Sequence, residues 1–203
     1  RMFIRFSDQE NINDYFPTST NTAGTFRLDS GSEIRATSKG KDYTFIGTDS
    51  AAYIMQFIGT PFTFSIRQVG SNCGVIGQNA SVFVDTNVYW MSDEGGFFMY
   101  DGSVKKLPCL VEDFVFKTSG GTPGLNYSAG QQVYSAHNSL FSEIIWFYPS
   151  ASSNFVDRMV TYNYQDNAWT TGTLARTSYT DKVIFDKPFA TKFTDNTIPT
   201  YPV

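Results

Sequence analysis

His137 is the only histidine in the chain, and that one fact closes several chemical routes. Paired-His zinc motifs need two imidazoles at fixed spacing, and none can be assembled. A Ser-His-Asp relay would have to pass through His137, which stands in Ser135-Ala136-His137-Asn138-Ser139 and reads as a turn or loop histidine ahead of a strand. The chain carries no Gly-x-Ser-x-Gly elbow, no Gly-x-x-x-x-Gly-Lys phosphate cradle and no Asp-x-Asp-x-Asp-Gly calcium loop. Carboxylates are what remains, since paired acids can cleave glycosidic bonds. Asp93-Glu94 is an adjacent pair, read here as a hairpin turn pointing to solvent. Asp29, Glu33, Asp42, Asp85, Asp113 and Asp157 are spread evenly, as solubilising charges would be, and nothing selects two of them as a pair. Cys73 and Cys109 have no metal or redox spacing around them and read as reduced, buried, apolar-sized residues; a disulfide between them has no positive support. These residues predict no catalytic group, no metal and no cofactor.

Charge narrows the partners. A net charge of −4 argues against a face that grips nucleic acid, because phosphate neutralisation needs clustered Lys and Arg. Lys105-Lys106 is the only adjacent basic pair. No run approaches the length of a membrane span. Two Asn-x-Ser matches, at Asn79 and Asn126, are common by chance.

The elements that would carry any site repeat along the chain. Three stretches open with a strand rich in aromatic and β-branched residues: Tyr43-Thr44-Phe45-Ile46, Val88-Tyr89-Trp90-Met91 and Ile144-Ile145-Trp146-Phe147-Tyr148. A short polar or glycine-bearing gap follows each. A second strand comes next: Tyr53-Ile54-Met55-Gln56-Phe57, Phe97-Phe98-Met99-Tyr100 and Met159-Val160-Thr161-Tyr162-Asn163-Tyr164. Tight turns at Gly59-Thr60-Pro61, Asp101-Gly102-Ser103 and Gln165-Asp166-Asn167 close the units. Aromatic residues make up 17% of the chain, and no apolar pattern is held at helical spacing. The chain therefore reads as all-β.

The units recur every ~45–60 residues, the period at which four-stranded sheets are laid around an axis as blades. The expectation is therefore a β-propeller segment with blades at residues 34–66, 81–107 and 133–173. A partial blade is expected at 1–28 and the start of another at 179–193. In the partial blade, Phe3-Ile4-Arg5-Phe6 fills the second-strand slot, Tyr15-Phe16-Pro17 the closing strand, and Asn21-Thr22-Ala23-Gly24 a loop. Trp90, Trp146 and Trp169 fall where one blade would pack on the next. Residues 117–131 stretch the repeat, and Gly120, Gly121, Pro123 and Gly124 mark an exposed loop suited to contacts with a neighbour. Arg1 lies close to an expected strand, and a new strand pattern begins shortly before Val203, so the chain reads as part of a longer protein.

Several runs resemble the tail nozzle, or packaged-DNA stabilisation, proteins of short-tailed bacteriophages. They are Asp29-Ser30-Gly31-Ser32-Glu33-Ile34, the run from Thr48-Asp49-Ser50 through Gly59-Thr60-Pro61 to Phe62-Thr63-Phe64, Val88-Tyr89-Trp90-Met91, and Phe98-Met99-Tyr100-Asp101-Gly102 with Leu107-Pro108-Cys109. Glu143 through Ser150, and Tyr162 through Trp169 to Thr177, extend the likeness, which weakens after residue 178. The resemblance implies a structural virion subunit assembled in the host cytoplasm. It implies a homo-oligomeric ring of six copies beside adaptor or portal proteins, with tail fibres or spikes as neighbours, and DNA passing through without specific binding. An acidic channel suits that role, since it repels rather than holds DNA. The rival expectation is a glycan-binding or glycan-cleaving propeller, a lectin or glycosidase on a virion or secreted protein. It would need Trp90, Trp146 and Trp169 exposed on one rim beside carboxylates. A host-side protein-interaction propeller is a third reading.

Overall fold

A computed structural model describes residues 1–59, 61–118, 124–182 and 185–192. Thr60, Gly120, Gly121, Pro123, part of the expected 179–193 unit and the last residues through Val203 lie outside them. The protein is all-β. Residues pack as two units, 1–112 and 113–203.

The first unit opens with a hairpin of β1 (Phe3–Phe6) and β2 (Gly24–Arg27). Two antiparallel meanders of four strands follow. The first holds β3 (Ile34–Lys39), β4 (Thr44–Thr48), β5 (Ala51–Gly59) and β6 (Thr63–Ser71). The second holds β7 (Ser81–Val84), β8 (Asn87–Met91), β9 (Phe97–Tyr100) and β10 (Val104–Lys106). A five-residue helix, α1 (Glu112–Phe116), spans the boundary between the units. The second unit has a 3-10 helix (Tyr127–Gln132), then a third meander of β11 (Tyr134–Asn138), β12 (Glu143–Tyr148), β13 (Arg158–Asn163) and β14 (Ala168–Thr173). A hairpin of β15 (Ser178–Thr180) and β16 (Phe189–Thr191) follows.

Local chemistry sets the turns. Residues 85 and 86 join β7 to β8, with Asp85 in the left-handed region at φ 55°. A short polar side chain tolerates that conformation. Gly102 between β9 and β10 sits at φ 113°. A Cβ would strain the backbone there. Between β13 and β14 the Asn163 side-chain oxygen accepts the N–H groups of Gln165 and Asp166, at 3.0 and 2.9 Å. These two bonds hold the reversal.

Each meander presents apolar residues on both faces, so it must be covered twice. The sheet β3–β6 meets this need within the first unit. One face, with Ile46, Ala51 and Tyr53 buried and Met55 and Ile66 against them, packs on Met2, Ile4 and Leu28 of the β1–β2 hairpin. The other face meets β7–β10 strand over equivalent strand. Ser38 of β3 hydrogen-bonds Ser81 of β7 at 2.7 Å. Phe45 of β4 packs on Trp90 of β8, the rings tilted by 38° with centroids 4.8 Å apart. Gly70 of β6 lies against Val104 of β10. In the second unit Ala136, Ile145, Phe147 and Val156 form a core joined by Tyr134, Met159, Leu174 and Tyr179, the last from the β15–β16 hairpin.

Three fully buried hydroxyls mark equivalent places, where the second strand of each meander ends: Thr48, Ser92 and Ser150. Thr48 Oγ1 accepts the Ala51 N–H at 2.9 Å, and Ser92 Oγ accepts the Glu94 N–H at 3.2 Å. Ser150 Oγ–H donates to Asp157 at 2.7 Å. A hydroxyl there satisfies a backbone or carboxylate group that burial would otherwise leave unpaired.

Three assignments need correcting. The closing strand of the opening hairpin is β2, not Tyr15-Phe16-Pro17; Tyr15 and Phe16 are exposed, and Gly24 starts the strand instead of ending a loop. Asp8 explains the geometry. Its carboxylate accepts the N–H and the O–H of Thr22, both at 2.7 Å, which seats Thr22 just before β2. His137 is a strand residue of β11, not a turn or loop residue. The first meander runs on to Ser71, past residue 66.

Candidate interaction site

β5 and β6 are nine residues each, longer than any other strand described. Pairing between β4 and β5 ends at Thr44 with Met55, whereas β5 and β6 stay paired out to Gly59 with Thr63, with a bulge at Ile58. The hairpin therefore overhangs its own sheet. Its outer part is apolar and exposed: Phe57 is 67% accessible, Ile58 52% and Phe62 73%. At the root Phe57 and Phe64 are cross-strand partners, edge to face at 5.7 Å, and Phe64 packs on Phe6 at 4.9 Å. These contacts fix the angle at which the hairpin leaves the sheet. An exposed apolar element on a rigid stem is built for contact with another surface.

The overhang leaves a cavity on each side. One, of about 330 Å³, lies between the end of β1 and the hairpin, lined by Phe6, Asp8, Gln9, Thr22, Phe57 and Phe64. The other, of about 530 Å³, lies over the turn between β3 and β4, beside Lys39, Lys41, Tyr43, Gln56 and Phe57.

The residues expected to pack or bind are placed as follows. Trp90 is fully buried between the two meanders of the first unit, and its indole N–H donates to the Cys73 carbonyl at 2.8 Å. Trp146 is fully buried. Trp169 is half-buried and stacks within its own sheet, on Tyr162 at 4.6 Å and Trp146 at 6.2 Å. A sugar-stacking platform would need these rings at the surface. Of the loop residues only Gly124 is described. It is buried, its carbonyl accepts the Ala151 N–H at 2.6 Å, and a Cβ there would lie 2.6 Å from the Lys117 backbone. Leu125 next to it is buried and bridges to Ser150. Residues 124–132 are thus anchored, and the stretch 117–131 is not one free loop.

The carboxylates also differ from their expected places. Asp93 does not point to solvent. Half-buried, it pairs with Arg35, which also binds Glu33 and the Val75 carbonyl, so the guanidinium ties β3 to the turn after β8. Glu94 is exposed. Asp157 is no free charge either, since it accepts the Ser150 N–H as well as its hydroxyl. Asp49 takes the N–H and O–H of Ser32 in the same two-pronged way. Burial opposes its ionisation, but these bonds and the Glu33 N–H outweigh burial and hold the carboxyl below its usual range. Asp113 pairs with Lys117 on the surface.

His137 Nε2 lies 3.2 Å from the Tyr164 hydroxyl, and Nδ1 lies 3.8 Å from Asp181. No serine hydroxyl among the described residues takes the nucleophile's place in that row. Among the described residues no three His, Cys, Asp or Glu side chains gather as metal ligands. Cys73 and Cys109 are both free thiols; Cys73 is buried as expected, whereas Cys109 is half-buried, and loss of solvation pushes each thiol up to about 11. No helix is long and apolar enough to cross a membrane among the described residues.

No signal in the sequence announced the overhang. It follows from where β4 begins, which the turn residues 40–43 set. The comparisons add no family: no family model matches the chain, and no curated protein matches it.

Proposed function

We propose that the chain is a structural subunit of a phage tail nozzle. In this reading it is a propeller segment that assembles with copies of itself in a ring, retains packaged DNA and guides it out at ejection. One observation carries the reading: meanders of identical strand order, two of them stacked equivalent strand on equivalent strand, with an apolar hairpin projecting from the stack. Such a stack is a scaffold that needs neighbours, and the hairpin offers a contact to a neighbouring copy. The net charge of −4 suits a wall along which DNA slides. The resemblance of residues 29–34, 48–64, 88–91, 98–102, 107–109, 143–150 and 162–177 to nozzle proteins supplies the identity of the ring.

The test is assembly. Mass photometry of the purified chain at micromolar concentration is expected to find a closed oligomer. Phe57→Ser with Phe62→Ser is expected to shift it toward monomer while the circular dichroism spectrum stays unchanged. In virions bearing the same pair of substitutions, fewer particles should keep their DNA. A chain that stays monomeric at every concentration, or virions that assemble and hold DNA normally, would overturn the reading. Loss of a hydrolytic activity on replacing Asp93 would overturn it too, since a structural subunit has none to lose.

A further inference from the structure

The overhang has a flank as well as a tip. Beyond Met55, β5 keeps β6 on one side, in register through Phe57 and with a bulge at Ile58, and among the described residues it has no strand on the other, because β4 has already turned away. Gln56, Phe57 and Ile58 are all exposed there. In an extended strand alternate residues turn N–H and C=O to the same side, so this flank presents backbone groups without a ladder partner. Below it lies the cavity of about 530 Å³, with the β3–β4 turn as its floor. A strand laid there would run in line with β4, above Tyr43 and Thr44.

We propose that this flank binds an extended acidic peptide segment of a partner by β-augmentation, adding a short strand beside Gln56–Ile58. Charge selects the occupant. Lys39 and Lys41 are exposed at the cavity, and neither has a carboxylate within ion-pair distance among the described residues; Asp42 is the one acid of that turn. A two-fold pairing of the flank with itself would bring the lysines of two copies together, which disfavours that occupant. A segment with acids at its ends satisfies both lysines while its backbone completes the ladder. Phe57 then offers an apolar wall to alternate side chains of the guest. The proposal shares the hairpin with the assembly reading and is tested apart from it.

The probe is a fluorescein-labelled heptapeptide of alternating valine and threonine with glutamate at both ends, and its control is the same peptide with lysine at both ends. Anisotropy is read on the chain and on a Lys39→Glu, Lys41→Glu variant, whose exposed positions leave the fold intact. The acidic peptide is expected to bind, to bind more weakly as salt rises, and to lose about tenfold or more on the variant. Amide signals of Gln56, Phe57 and Ile58 are expected to shift and to gain protection from exchange. Methylating alternate backbone nitrogens of the peptide is expected to abolish binding in one of the two registers. Equal binding of both peptides, an undiminished affinity on the variant, or binding that leaves the Gln56–Ile58 amides unmoved would overturn the proposal. So would absence of binding at millimolar peptide. Protection of those amides that grows with protein concentration in the absence of peptide, and that persists in a Phe62→Ser chain whose tip contact is weakened, would assign the flank to a second copy and overturn the acidic-peptide occupant.

Discussion

Replacing Trp90 by Ala should nearly unfold the first unit. The indole is 0% exposed and stands between Phe45 of the facing sheet and Phe98 of its own, at 4.8 and 5.8 Å. Truncating a buried Trp to Ala costs about 3–5 kcal/mol through lost transfer energy and the cavity left behind. The Cys73 carbonyl loses its indole partner in a dry site. That loss adds about 1–2 kcal/mol. The sum, about 4–7 kcal/mol, is comparable to the whole stability of an ordinary domain. Trp90→Phe keeps a ring over Phe45 and gives up mainly the N–H, so about 1–3 kcal/mol is expected. Urea titration followed by far-UV circular dichroism gives both values from the shift in midpoint. A cycle with Phe45→Leu isolates the stack, with an expected coupling of about 0.5–1.5 kcal/mol. A loss below about 1 kcal/mol for Trp90→Ala, or additive effects in the cycle, would show that the two sheets are not joined through this pair.

Gly74→Ala drives a Cβ into the Asp49 carbonyl and to 2.7 Å from the Ser50 nitrogen, backbone that cannot swing aside. A loss above about 2 kcal/mol is expected in the same titration. Acid should destabilise the protein through its clamped carboxylates. Asp8, held mainly by the Thr22 N–H and hydroxyl, lies below its usual range, as do Asp49 and Asp181. Their contribution is complete above about pH 5, where the unfolded carboxyls are ionised, and is lost as pH falls through the lower native values. Asp49→Asn should therefore flatten part of the fall in thermal midpoint measured from pH 5 to pH 2, and an unchanged slope would remove Asp49 from the account. Both thiols, raised to about 11, should react slowly with Ellman's reagent at pH 8 until urea unfolds the chain, half-buried Cys109 ahead of buried Cys73; two rapid equivalents from the native protein would contradict the raised values.

Middle strands were legible because they are buried on both faces. Phe45-Ile46, Tyr89-Trp90 and Trp146-Phe147 stand in apolar runs that no helix period fits. Strands toward the sheet margins were harder to read. The β3 sequence Ile34–Lys39 and the β10 sequence Val104–Lys106 alternate with polar groups, as half-exposed strands do. Tyr15-Phe16 misled because aromatics favour strands, while the real partner, Gly24–Arg27, is recruited by a side-chain bond from Asp8 that no propensity encodes. Asp93 misled in the other direction. A carboxylate in a turn reads as solvent-facing, and only the fold brings Arg35 to it from 58 residues away. The overhang was hidden for a plainer reason, since it depends on the relative lengths of neighbouring strands and not on any residue type.

Every strand in the three meanders pairs with the strand just before or just after it in the chain. Most all-β folds must wait for distant segments to meet and fold slowly for that reason. Here the loops to be closed are short, and the closure entropy of each step is small. A meander can therefore form during synthesis as soon as its own last strand leaves the ribosome. What it cannot do at that moment is cover both faces, so the newly made β3–β6 sheet waits with one apolar side bare until β7–β10 is made. Pauses in translation between residues 71 and 81 would lengthen that exposure, and slow codons there would be expected to favour aggregation over assembly.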